Sequence, residues 1–106
     1  AEEARARLQV AELLLACGRY GEALRLAEEA WTLYDEGVAG EEQAAGEADA
    51  ERLICQVHLA DERAESALEL ARAQLEHFGQ AGFAAAEATL RLGLAEVHLA
   101  MERPRE

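Results

Sequence analysis

The sequence predicts an all-α protein built from antiparallel helix hairpins stacked side by side. Three observations predict it. Ala (25), Glu (19) and Leu (16) supply more than half of the 106 residues, and all three are strong helix formers. β-branched residues are scarce, with one Ile, four Val and two Thr, which leaves little from which to build a sheet. The chain also repeats itself. Leu15-Ala16-Cys17-Gly18-Arg19-Tyr20 aligns with Leu59-Ala60-Asp61-Glu62-Arg63-Ala64 at an offset of 44, and that segment aligns with Leu99-Ala100-Met101-Glu102-Arg103-Pro104 at an offset of 40. Self-similarity at a fixed period marks a stacked repeat.

The helices follow in order. Ala4 to Ala16 carries apolar residues at helical spacing, with Leu8, Ala11 and Leu15 on one side and Val10, Leu13 and Leu14 nearby. Gly18 and Gly21 end that helix and release the chain for the next. The second helix runs from Glu22 to about Glu36, and the Gly37–Gly40 stretch breaks the chain again. A third runs from about Glu41 to Ala60, its first turns rich in glutamate, as suits the positive end of the helix dipole. A fourth covers about Ala64 to Phe78. Gly79 and Gly82 flank the connection to a fifth, about Phe83 to Met101, before Pro104.

The alignment also predicts the core. Val10, Ile54 and Leu94 share one register position, and Leu13, Val57 and Val97 another. Leu24 matches Leu68, and Leu26 matches Leu70. Trp31, Leu33 and Tyr34 should close the end of the first hairpin, and Leu75 and Phe78 that of the second. Small residues recur at Ala11, Cys55 and Ala95, at Ala23 and Ala67, and at Ala27 and Ala71. Such positions let helices approach to about 8 Å.

The segment Gly18-Arg19-Tyr20-Gly21-Glu22-Ala23-Leu24, ending in Ala30, resembles the turn between helices A and B of the tetratricopeptide repeat (TPR) family, with Ala11 at its small helix A position. In the second copy Glu62 stands in place of the turn glycine, Ala64 in place of the aromatic and Gln74 in place of Ala30. The long spacing is similar to TPR-like arrays of bacterial signalling and regulatory proteins. The resemblance implies a short right-handed α-solenoid of about two and a half repeats within one domain, residues 1–37, 41–79 and 82–106. It also implies a cytoplasmic scaffold segment of a larger bacterial protein. The Ala1-Glu2-Glu3 start is expected to be a cut inside a longer chain.

Composition narrows the function. The formal net charge is −12, with no Lys, so attraction to nucleic acid or to an anionic membrane surface is not expected. No apolar run approaches the roughly 20 residues that span a bilayer. Cys17 and Cys55 are too few for a disulfide framework and fit a reducing compartment. Cys55 and His58 share a helical face but make only two ligands, so they read as packing rather than a metal site. Ser66, the lone serine, has no nucleophile-elbow context. Gly37-Val38-Ala39-Gly40 is followed by acid, unlike a phosphate-binding loop. The glutamates should be mostly solvent-facing, with ion pairs at Glu3–Arg7, Glu22–Arg25 and Glu69–Arg72. No set of nucleophile, base and oxyanion donors assembles, so neither an enzyme nor a cofactor is expected.

What remains is a binding surface. The resemblance implies a concave groove lined by the first helix of each hairpin. Its residues would be Leu8, Glu12 and Leu15, then Arg52, Gln56 and Leu59, then Leu92, Glu96 and Leu99. Glu12 and Glu96 would repel a peptide carboxylate, and the mixed apolar and acidic lining suits an amphipathic or basic helical segment. Arg52 is expected to be free for an acidic group, so that Arg52→Glu would leave stability nearly unchanged. The expected function is protein–protein interaction. The alternative is a regulatory or sensor spacer in a multidomain signalling or transcription-regulatory protein, with no ligand of its own. Leu94, Val97 and Met101 are expected to face a missing helix, and either to be covered by a second copy in a homodimer or to belong to a fifth helix that acts as a cap.

Overall fold

The computed structural model describes residues 2–37 and 39–102. It contains five α-helices: α1 (Glu2–Ala16), α2 (Tyr20–Gly37), α3 (Gly40–Ala60), α4 (Ala64–Ala81) and α5 (Ala84–Glu102). No strand occurs among the described residues. The chain packs as an open sequence of neighbours. Each helix lies against the next, and α3 also touches both α1 and α5. Within the described residues α1 makes no contact with α4 or α5. The result is a slab of 44 × 29 × 15 Å. Residues 103–106, which include Arg103 and Pro104 of the third copy, lie outside the described residues.

The two hairpin turns are closed by the same bonds. At the first, Cys17 N–H donates to Leu13, Gly18 to Leu15, Arg19 to Leu14 and Ala23 to Arg19. At the second, Asp61 donates to Val57, Glu62 to Leu59, Arg63 to His58 and Ala67 to Arg63. Every partner is displaced by 44 residues. The pattern is the Schellman cap, which needs its next-to-last residue in the left-handed region. Gly18 occupies it with φ 77°, and Glu62 is held there with φ 58°. Glu62 therefore carries strain that glycine would not.

The α4–α5 connection differs from expectation. Gly79 belongs to the last turn of α4, and Gly82 alone makes the bend, with φ 78° and its N–H on the Gly79 carbonyl. Gly21 likewise falls inside the first turn of α2. A glycine near a helix end is tolerated there, and only one positive φ is needed to turn the chain.

Three apolar clusters hold the slab together. The first joins α1, α2 and α3 through Leu8, Ala11, Ala27, Ala30, Tyr34, Leu53 and Ile54. The second joins the start of α3 to α4 and α5 through Ala48, Phe78, Ala86 and Leu90. The third unites Cys55, Ala67, Ala71 and Val97, with Leu94 packed against it. The alanines aligned from the sequence, Ala23 with Ala67 and Ala27 with Ala71, are fully buried at the crossings. Gly46 serves the same end. A Cβ there would fall under 3.0 Å from Cδ1, Cε1 and Cγ of the Tyr34 ring, so its absence lets α2 lie directly on α3.

Two core expectations need correction. Val10 and Leu13 are exposed, whereas their counterparts Ile54, Val57 and Val97 are buried. Ile54 clusters with alanines of α2, and Val97 with those of α4, the helices that precede them in the chain. No described helix precedes α1, so the same face is uncovered there. Val97 consequently does not face a missing helix: it is fully buried against Cys55, Ala67 and Ala71. Of the face assigned to a homodimer, Leu94 is half-buried and Met101 exposed. Ala95, aligned with buried Ala11 and Cys55, is exposed because no described helix follows α5.

The ion pairs also differ in part. Arg7 meets Glu3 as expected, at 2.6 Å, and also Glu29 on α2 at 3.1 Å. Glu22 pairs with Arg19 at 2.8 Å rather than with Arg25, which turns to Glu29. Glu69 and Arg72 form no ion pair among the described residues.

Candidate binding groove

A cavity of about 530 Å³ opens between α1 and α3. Buried Leu8 and Leu53 line it on the apolar side, and Tyr34 closes it from the end of α2. Its polar residues come from two matched helical stripes. Arg5, Leu8, Gln9 and Glu12 recur at steps of three and four along α1. Asp49, Arg52, Leu53 and Gln56 do the same along α3. That spacing places each set on one helical face. The two stripes match position by position at the offset of 44, and Glu42 extends the rim because α3 is longer than α1.

Arg52 is not free. Its Nε and Nη2 donate to Glu96 Oε1 and Oε2 at 2.9 and 2.8 Å, a forked pair that ties α3 to α5. Gln56 Nε2 adds a longer bond to Glu96 Oε1 at 3.5 Å. The hydrogen bonds from Arg52 hold the Glu96 carboxyl below its ordinary range, and the same bonds raise Arg52. Glutamate substituted at position 52 would therefore face Glu96 and cut the α3–α5 tie, contrary to the expectation of unchanged stability. With Arg52 engaged, the remaining charges are Arg5 against Glu12, Glu42 and Asp49. Burial pushes the Asp49 carboxyl above its ordinary value, against the pull of Arg52 and Arg5. The groove is short of positive charge.

Of the nine groove residues expected from the sequence, Leu8, Glu12, Arg52 and Gln56 line this cavity. Glu96 joins them through Arg52 and Gln56. Leu92 and Leu99 stand 50 % and 59 % exposed on either side of Glu96, at helical spacing on α5. Leu15 and Leu59 are half-buried and pack against the first and third clusters, so they serve the core. Sequence reasoning missed Arg5, Gln9, Asp49 and Leu53. Extending the aligned stripes one turn toward each helix N-terminus would have found Arg5 and Asp49, while Gln9 and Leu53 lie inside the stripes, three residues before Glu12 and Gln56. Tyr34 and Glu42 leave no such signal, because the lengths of α2 and α3 decide their place.

Two glutamates depart from the mostly solvent-facing pattern: Glu47 and Glu51 are buried. Burial raises both carboxyls, Glu51 to about 7 with the nearby charges of Glu47 and Glu28 adding to the effect. Glu47 accepts a bond from Gln43 at 3.0 Å, while Glu51 Oε2 has no partner among the described residues. Their spacing with Ala44, Ala48, Ile54 and Cys55 places them on an apolar helical stripe, a signal that was present in the sequence.

Cys55 is buried, its Sγ 3.7 Å from the Ala67 carbonyl, and burial pushes its thiol to about 12. Such a thiol is a packing group, not a nucleophile. No cluster of three or more His, Cys, Asp or Glu that could hold a metal occurs among the described residues. No described helix is long and apolar enough to cross a membrane. No family model, curated protein or solved structure matches the chain.

Proposed function

We propose that the protein is a protein-interaction module whose α1–α3 groove receives an amphipathic helical or extended peptide carrying basic residues. The observation that carries this reading is the groove itself: an open cavity, apolar on its floor, in which three acids face Arg5, which makes no ion pair among the described residues. Apolar grooves of this kind take one face of a helix, and the charged rim sets its polarity. Leu92 and Leu99 supply further uncovered apolar surface on α5.

The wider framework proposed is a short TPR-like solenoid, right-handed, belonging to a cytoplasmic scaffold protein. The recurrence of four capping bonds at a 44-residue offset supports the stacked-hairpin part of that reading, as do the two left-handed turn residues.

The test is a titration with two labelled helical peptides of equal hydrophobicity, one basic and one acidic, followed by fluorescence anisotropy. The basic peptide should bind, and a Glu12→Lys, Asp49→Lys double variant should weaken it at least tenfold. Equal binding of both peptides, or no effect of the double variant, contradicts the assignment.

A further inference from the structure

A second concavity, of about 440 Å³, lies away from the groove where α2, α3 and α4 meet. Glu28 and Trp31 enter it from α2, Glu51, Ile54 and His58 from α3, and Leu70 from α4. Two polar atoms at this place are buried without a partner among the described residues: the indole Nε1 of Trp31 and Oε2 of Glu51, a residue 7 % exposed. A buried tryptophan N–H and a buried carboxylate normally find partners, and leaving either unmet is costly. The two make different demands. The carboxylate needs a donor, and the indole needs an acceptor.

The charge around them adds a third demand. Glu28 from α2 and Glu47 from the preceding turn of α3 both act on Glu51. Among the described residues His58 is the only basic side chain in the lining, and α4 contributes only Leu70. A cation is therefore favoured over a neutral donor. The apolar surfaces of Trp31, Ile54 and Leu70 suit an aliphatic stem, and an indole face attracts a guanidinium.

We propose that this notch is a binding site for an arginine side chain presented by a peptide, with the guanidinium donating to Glu51 and Glu28 and a backbone carbonyl of the same residue accepting from Trp31 Nε1. A planar guanidinium meets a carboxylate through two parallel bonds, which a single-point donor does not. The site is separate from the α1–α3 groove and does not depend on what occupies that groove. Because burial holds Glu51 up near neutrality, the cation competes with a proton for it, and binding strengthens as the pH rises through about 7.

Trp31 is the only tryptophan, so its indole N–H resonance reports on this site alone. The probe is Nα-acetyl-arginine N-methylamide, and its neutral isostere Nα-acetyl-citrulline N-methylamide is the control. The arginine probe should shift the Trp31 indole resonance saturably, bind about tenfold tighter than the control, and weaken about tenfold between roughly pH 8 and pH 6. Glu51→Gln should remove most of the difference between the two probes, and Glu28→Gln should reduce it less, with the fold of each checked by circular dichroism. Equal affinity for the two probes overturns the assignment. So does a Trp31 resonance that neither probe moves, or a Glu51→Gln protein that binds the arginine probe as the parent does.

Discussion

Replacing Gly46 by alanine adds a single methyl group at the crossing of α2 and α3. In an ordinary helix interior the change is favourable by ~1 kcal/mol. Here the new Cβ would fall under 3.0 Å from three atoms of the Tyr34 ring. Overpacking of this kind costs about 1–3 kcal/mol. Tyr34 has little room to yield, because it is 5 % exposed and its Cγ, the ring atom nearest the backbone, is among those crowded. The cost belongs at the top of the range, so the net loss is ~2 kcal/mol. For a domain of this size that lowers Tm by about 8–16 °C. Gly93→Ala is the matched control. Its Cβ would meet only the Arg52 stem, at 3.4 Å from Cγ and 3.8 Å from Cβ, which is ordinary van der Waals contact, so it should gain ~0.5–1 kcal/mol. Thermal melts of the two variants by circular dichroism decide the matter. A Gly46→Ala protein that melts at or above the parent would mean that Tyr34 does not rest on Gly46, and the packing of α2 on α3 would be wrong.

Three further outcomes are expected. Glu62→Gly should raise stability by ~1 kcal/mol in thermal melts, because it relieves a left-handed residue at a turn that Gly18 already serves without strain. Ala67→Leu, placed in a fully buried crossing beside Cys55 and Val97, should cost about 1–3 kcal/mol in urea melts, and a parent-like midpoint would count against that crossing. Glu51→Gln tests the buried carboxyl. Below an ordinary pKa of 4.5 the group is protonated folded or unfolded; between there and about 7 only the unfolded chain ionises, so stability falls as pH rises. The variant should match the parent in acid and exceed it above about pH 7, by on the order of 1–3 kcal/mol; a difference independent of pH would refute this.

The helices and their order were legible in the sequence because alanine, leucine and glutamate leave few alternatives and the glycines stand at the breaks. The second turn was legible only through the alignment. Glu62 has no turn chemistry of its own and is carried into the left-handed region by the caps around it. Exposure at the ends was not legible. Val10 and Leu13 are as apolar as Ile54 and Val57, and they differ in having no helix packed over them among the described residues. The site was half visible. Helical spacing gave Leu8, Glu12, Arg52 and Gln56, but Arg52 and Glu96 lie 44 residues apart and their pairing depends on how α3 and α5 are set against each other. Glu51 was overlooked because glutamate in a helix is so often solvated that its place on an apolar stripe carried little weight.

The order in which the helices touch is what every other statement requires. Methyl-resolved nuclear Overhauser spectra test it directly. An open stack predicts contacts from the Leu8 methyls on α1 to α2 and α3 only, together with contacts between Ala48 and Leu90 and between Ala67 and Val97. Contacts from α1 to α4 or α5 would mean a closed bundle instead. The groove between α1 and α3 would then be lost.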